Sequence, residues 1–221
     1  PVALLGGYLT LNRAFWPAFM AILCVFWILL IFQNSSSSSS IKVSIVVLAL
    51  IVVAGLLFTL ATATKSPVRG TQSEVLTETV LKDPRLQIWE FSLTQIKRRP
   101  LTGAGFGRGA TKAEFVQYFG NADFWHAHNL VINYALQLGI GGIAVLALVF
   151  GSLMKEFWAM YRSDNHHIRL MGIAGIALVV GIITKNITDD FFVRQHSLLF
   201  WAITGMIMGY KKALSSQATS R

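Results

Sequence analysis

The sequence predicts an all-α fold: a polytopic bundle of transmembrane helices, interrupted by one long extramembrane loop that carries an amphipathic helix. Three observations lead there. Of 221 residues, 54% are hydrophobic and only 13% charged, about half the ~25% charged share of an ordinary soluble domain, and the mean hydropathy is +0.57. The apolar residues gather into uncharged runs of span length. One stretch breaks that pattern: residues 64–127 hold nine Lys/Arg, six Asp/Glu and three of the five prolines. So much apolar surface excludes a disordered chain, and too few polar residues remain to cover a soluble globule. The net charge of +9 is first accounted for by loop topology, so nucleic acid is not an expected partner.

The elements follow in chain order. Residues 1–63 form a transmembrane hairpin region. Residues 2–11 (VALLGGYLTL) read as the end of a span that starts before Pro1, so the chain is expected to be the C-terminal portion of a longer membrane protein. Residues 14–32 are uncharged, close to the ~20 residues that cross a bilayer, and Pro17 falls in the first turn, where a missing N–H costs little. Residues 43–63 make a second uncharged run, joined to the first by a loop with six consecutive serines. The single Cys24 lies inside an apolar run, which leaves neither a disulfide nor a cysteine metal cluster.

Residues 64–127 are the long loop. Within it, Asp83-Pro84 reads as N-cap and first helical residue, and Leu86, Trp89, Leu93 and Ile96 recur at helical spacing. This predicts an amphipathic helix over about 84–98, stopped at Pro100. The glycine-rich run Gly103-Ala-Gly105-Phe-Gly107-Arg-Gly109 follows. It lacks the context of a dinucleotide or Walker loop, and reads as a flexible turn before it reads as a phosphate nest.

Residues 128–221 form the last region, with three spans and a tail on the inner side. The first span, about 129–153, carries Asn129, Asn133 and Gln137 on one face. Amides in hydrocarbon need partners, so that face should look into the protein or a wet cavity. Two shorter runs, about 170–184 and 197–210, must recruit flanking polar residues to span; Gly172/Gly175 and Gly205/Gly209 offer small faces for close packing. The link between them holds Lys185, Asp189, Asp190, Arg194 and His196.

Lys/Arg counts in the short segments set the orientation. With the long loop outside, Lys42, Lys155, Arg162, Arg169, Lys211, Lys212 and Arg221 fall inside, against Arg13, Lys185 and Arg194 outside. The loop's own nine basic residues do not count against this, because loops beyond ~60 residues escape the rule.

That topology gathers Arg13, Arg85, His126, His128, Asp189, Asp190 and Arg194 at the outer ends of helices. Arginine stays charged and grips phosphate oxygens bidentately, which suits an anionic lipid-linked substrate. Each residue also has a plainer reading: Arg13 as a loop charge, Arg85 stacked on Trp89, Arg194 paired with Asp190. His126-Ala-His128 offers a general base, since histidine ordinarily titrates near neutrality, or an interfacial anchor beside Trp125. As a metal site it is incomplete, because no carboxylate or cysteine stands at a ligand spacing. The residues alone leave these alternatives open.

Taken as a series, three stretches resemble the O-antigen ligase/polymerase superfamily. They are Arg85-Leu-Gln-Ile-Trp89, Arg99-Pro-Leu-Thr-Gly-Ala-Gly-Phe-Gly107 and His126-Ala-His128-Asn129. His128-Asn129, nine residues, then Gly139-Ile-Gly-Gly142 is similar to the ligases' His-Asn and Gly-x-x-Gly. Thr10-Leu-Asn12-Arg13-Ala14 is similar to the family's Ser-Arg-Gly element, with Asn12 and Ala14 replacing its Ser and Gly. The likeness extends over nearly all of the chain.

The resemblance implies a multi-pass enzyme of the bacterial inner membrane with its active site facing the periplasm. It implies a glycosyltransferase that needs neither metal nor other cofactor, and that moves a glycan from undecaprenyl pyrophosphate to lipid A–core in lipopolysaccharide biosynthesis. It further implies catalytic roles for His128, as base, and Arg85, with Arg13 also on the pyrophosphate. Asn129, Asp190 and Arg194 become substrate-binding candidates. An O-antigen polymerase or a protein O-oligosaccharyltransferase shares the donor chemistry and differs in acceptor. A multispan lipid transporter or scaffold, binding phosphate without making a bond, is the reading from another class.

Overall fold

A computed structural model describes residues 15–33, 45, 49, 84–107, 109–120, 126–187 and 192–219. The expected span 43–63, Arg13, Asp189 and Asp190 lie outside these, apart from residues 45 and 49. Among the described residues the fold is all-helical, with six helices: α1 (Phe15–Gln33), α2 (Pro84–Arg98), α3 (Lys112–Phe119), α4 (Leu130–Tyr161), α5 (His166–Lys185) and α6 (Arg194–Thr219). Two of them, α4 and α5, are long and apolar enough to cross a membrane, and Pro17–Phe32 is a shorter apolar stretch. The described residues divide into two compact units.

The first unit comprises α1, the part of α4 from Phe150, α5 and α6. Glycines on α5 set its packing, as the small-residue spacing predicts. A Cβ on Gly181 would come within 2.4 Å of the Ile22 side chain, and one on Gly172 within 2.3 Å of the Tyr161 backbone nitrogen. Gly175 lies against the Phe157 ring in the same way. Gly205 and Gly209 differ, since a Cβ there meets open space. The packed glycines face α1 and the end of α4, whereas Trp201, Met206 and Tyr210 of α6 are exposed.

Chain directions within this unit follow from pairs of contacts. Ile22 meets Gly181 while the Tyr161 hydroxyl donates to the Leu29 carbonyl at 3.4 Å, so α1 and α5 are antiparallel. Phe150 packs on Phe200, with ring centroids 5.9 Å apart, and Glu156 pairs with Lys211, so α4 and α6 run the same way. One end of the unit therefore carries the close of α1 and α4, the start of α5, Arg162, Arg169 and Lys211. The opposite end carries the start of α1, Lys185 and Arg194. This is the same partition of basic residues that the sequence assigns to two sides of a membrane.

The expected runs 170–184 and 197–210 are cores of longer helices. Asn165 caps α5, its Oδ1 accepting from the amides of His167 at 2.9 Å and Ile168 at 3.3 Å, so the helix begins on polar residues. At ~1.5 Å per residue, its 20 residues reach about 30 Å, which fifteen could not. The tail after residue 210 is helical to Thr219.

The second unit contains α2, α3, α4 as far as Val149, and Asn186–Ile187. Its core is Ile88, Phe91, Phe115, Ala127 and Leu136, with Trp89, Ile96, Phe119 and Ile132 packed around it. Helix α2 occupies the expected residues and packs two of the four expected positions, Trp89 and Ile96, against the core, but its most buried stripe is a neighbouring one. Leu86 and Leu93 are exposed, while Ile88, Phe91 and Ser92 are buried. The sequence offers two apolar stripes about a quarter-turn apart, and α3 selects one: Phe115 meets Phe91 edge-on at 5.0 Å. Helix α3 was not expected from the sequence. Gly120 ends it in the left-handed conformation at φ 65°, its N–H returning to the Val116 carbonyl at 2.9 Å.

The expected span 129–153 falls within α4, which carries a break the sequence did not predict. Helix α4 breaks at Gly139, whose φ 63° and ψ −151° belong to a region open essentially to glycine alone. The residues beyond, 140–161, are the membrane-length segment, and 130–138 form a separate half-helix. The break would strand backbone groups, and the glycine-rich segment takes them up. Ile140 N–H donates to the Pro100 carbonyl at 2.8 Å, Ala104 N–H to Leu136 at 2.7 Å and Gly105 N–H to Gln137 at 3.0 Å. Gly107 N–H donates to the Gln137 side-chain oxygen at 2.9 Å. This run is therefore a close-fitted clamp rather than a flexible turn. Its amides are directed at α4, which also removes the phosphate-nest reading.

Candidate functional site

The His126-Ala127-His128 segment sits at the entrance of the half-helix, and its central residue fixes it. Ala127 is fully buried. Its carbonyl accepts the Trp89 indole N–H at 2.7 Å, and its N–H donates to Asn133 Oδ1 at 2.9 Å. The segment is thus held from α2 on one side and from the first turn of α4 on the other. The two imidazoles lie beside one another, centroids 3.9 Å apart, as the alternation of an extended segment predicts. A third metal-ligating side chain does not join them among the described residues.

His128 is half-buried, with φ 50°. Histidine tolerates the left-handed region better than most residues, yet the conformation still costs on the order of 1 kcal/mol. Such strain survives where the surroundings over-determine the backbone. Here the next residue supplies much of that. Asn129 caps α4, its Oδ1 accepting the Ile132 N–H at 3.0 Å, and its Nδ2 donates to the Ile187 carbonyl at 2.6 Å. Leu130 N–H donates to Asn186 at 3.0 Å. Asn186 and Ile187 are therefore joined directly to the two residues that follow His128.

The amide face expected from Asn129, Asn133 and Gln137 is borne out. All three look into the protein, and each binds backbone outside its own turn. Arg85 stands one helical turn before Trp89 on the same face of α2, about 6 Å along the axis. The Trp89 indole reaches Ala127 from this same face of α2. Arg194, in the other unit, is the first residue of α6, exposed, with φ 43°. It and His128 are the two non-glycine residues with positive φ among those described. Arg13 and Asp190 fall outside the described residues.

The family described as O-antigen ligase matches residues 2–147. The chain belongs to the O-antigen ligase family. No curated protein matches it. The matched residues cover about two thirds of the chain and take in Arg13, Arg85, His128, Asn129 and the Gly139 break. They end before Asp190 and Arg194, so the family match is narrower than the likeness read from the motifs. As a member of the O-antigen ligase family, the protein is a membrane-associated enzyme of ligase or polymerase type, a class that works in general on lipid-linked glycans and lipid A–core.

Sequence reasoning missed two residues that build the site. Trp89 counted as an apolar helix position and a stacking partner for Arg85, although a part-buried indole N–H needs an acceptor. Gly139 counted only as part of a spacing, although a glycine in mid-span beside three amides is the sequence mark of a broken helix.

Proposed function

We propose that this O-antigen ligase family member transfers a glycan from undecaprenyl pyrophosphate to a sugar hydroxyl of lipid A–core, on the periplasmic face of the bacterial inner membrane. His128 accepts the hydroxyl proton as its oxygen bonds to the anomeric carbon with inversion. The bond from that carbon to the pyrophosphate breaks, and undecaprenyl pyrophosphate leaves. Arg85 and Arg13 hold the pyrophosphate and take up the charge that grows on it. Asp190 and Arg194 hold substrate from the link between α5 and α6. Asn129, the remaining substrate-binding candidate, also positions the backbone on which the His128 imidazole is carried.

The observation that carries this reading is the setting of His128, a strained residue between two backbone clamps and beside the helix that carries Arg85. A base must be placed before it can act, and the backbone beside this imidazole is held by Trp89, Asn133 and Asn129. The test is transfer by the reconstituted full-length protein, with the glycan donor and lipid A–core, growing glycan or acceptor peptide offered in parallel. Lipid A–core is the expected acceptor. His128→Ala should lower transfer by ~10²–10⁴-fold while leaving donor binding intact. Full transfer by that variant would overturn the base assignment, and donor binding without transfer to any acceptor would favour a carrier instead. Unchanged turnover in EDTA is expected.

A further inference from the structure

The second unit holds a concavity that this reaction does not use. It lies between α2 and α3 and has a volume of about 510 Å³, within the range of small-molecule sites. At about 100° per residue around a helix, Glu90, Thr94 and Arg98 project from the side of α2 roughly opposite Arg85 and Trp89. The cleft is therefore separate from the face that meets Ala127.

Its floor is aromatic. Buried Phe91 stacks on Tyr118 with centroids 4.3 Å apart, and Tyr118 is 66% exposed, which leaves its other ring face to the cleft. Around this platform stand the amides of Gln95 and Gln117 and the guanidinium of Arg98. One side is closed by the ion pair of Arg99 with Glu114 at 3.2 Å. Two arginines face two glutamates, so the cleft has no net charge with which to select a phosphate.

We infer that this cleft binds a neutral saccharide unit of a glycan substrate. A pyranose offers an apolar C–H face that fits an aromatic ring, and pairs of hydroxyls that match amides, carboxylate and guanidinium. The inference rests on the reading of the protein as a glycan-transferring enzyme, and adds a subsite away from the reacting carbon. Binding energy gained there holds the long substrate in register while the bond is made elsewhere. Donor glycan and acceptor core carry the same chemistry, so each is a source of the sugar.

The test uses the full-length protein in nanodiscs and two lipid-free probes, an oligosaccharide of the donor repeat and a core oligosaccharide. Saturation-transfer NMR and calorimetry report binding. One of the two probes should bind wild type, and Tyr118→Ala and Gln117→Ala should each weaken it by roughly tenfold. Tyr118→Phe keeps the ring and should bind within a few-fold of wild type. In transfer assays the same variants should raise KM for the matching substrate with kcat unchanged, the signature of lost uniform binding. His128→Ala should bind the probe as wild type does. If neither probe binds wild type, or if Tyr118→Ala and Gln117→Ala bind and turn over like wild type, the saccharide cleft is wrong and the transfer reading stands. If a probe binds and is lost in Tyr118→Ala while no acceptor is glycosylated, the cleft stands and the transfer reading falls.

Discussion

Replacing Gly139 by alanine should release the clamp on α4. The new Cβ would lie 2.5 Å from the carbonyl carbon and oxygen of Leu101 and from the Pro100 carbonyl oxygen. Those are backbone atoms, and they cannot turn aside as a side chain can. The φ of 63° and ψ of −151° are also closed to alanine, at a cost of about 1–3 kcal/mol. The expected response is for the helix to straighten through residue 139, returning Ile140 N–H to Leu136. Three backbone hydrogen bonds to the loop are then lost, from Ala104, Gly105 and Ile140, at about 1 kcal/mol each. Ile140 regains a bond within the helix and helix propensity returns about 1 kcal/mol, which leaves a net loss of roughly 1 kcal/mol local to this unit. Amide hydrogen exchange in detergent is the direct assay, because Ala104 and Gly105 protection depends on these bonds. Their exchange should accelerate by at least about fivefold, and transfer should fall with it. Gly141→Ala is the control, since its Cβ meets nothing within 4 Å; it should be neutral or slightly stabilising. Unchanged protection at Ala104 and Gly105 in Gly139→Ala would refute the account of the break.

Further outcomes follow from the same structure. Trp89→Phe keeps the ring but leaves the buried Ala127 carbonyl without its donor. It should lower thermal stability by about 1–3 kcal/mol and reduce kcat more than KM; a loss confined to KM would count against a positioning role. His128→Gly removes the imidazole and relieves the left-handed strain, so melting should hold or rise by about 1 kcal/mol equivalent while transfer disappears. A marked loss of stability would mean the side chain is structural. On α5, Gly175→Leu should prevent assembly because its Cβ would strike the Phe157 ring, whereas Gly205→Leu on α6 should be tolerated; equal effects on yield and melting would contradict the packing. Orientation is read in spheroplasts after Cys24 is replaced by serine. A cysteine placed within 64–127 should react with an impermeant reagent, and one placed at Ser163 should not.

The parts of the fold legible in the sequence are those decided locally. Helix α2 was visible because Asp83-Pro84 and Pro100 bound it in the sequence. What the sequence hid was decided by partners far along the chain. Leu86 and Leu93 have the right spacing to be buried, yet Phe115 packs on the neighbouring stripe, and nothing within residues 84–98 announces that. Gly103 and Gly139 look like unrelated features of a loop and a span. They make sense only together, because each admits the backbone of the other's segment at a distance a Cβ would fill. At the site, His128 and Asn129 stand out as a motif, and Trp89 and Asn133 are each visible separately, but nothing local announces that they hold Ala127 between them.

These facts give the helix break a purpose at the far end of the half-helix. A continuous α4 would carry His128 at the mouth of a long span, with its position set by that helix's tilt in the bilayer. Breaking the helix at Gly139 makes residues 130–138 a short rigid block, secured at one end by the glycine-rich clamp and at the other by Asn186, Ile187 and the Trp89–Ala127 bond. Every amide on its inner face is committed to that frame. The imidazole is then fixed relative to α2, and so to Arg85, rather than to the membrane-crossing segment. Under the proposed function, a base that must meet a hydroxyl within a few tenths of an ångström gains from being referenced to the helix that carries Arg85, the residue proposed to hold the pyrophosphate. The glycine that costs helix propensity in mid-span is what makes that reference possible.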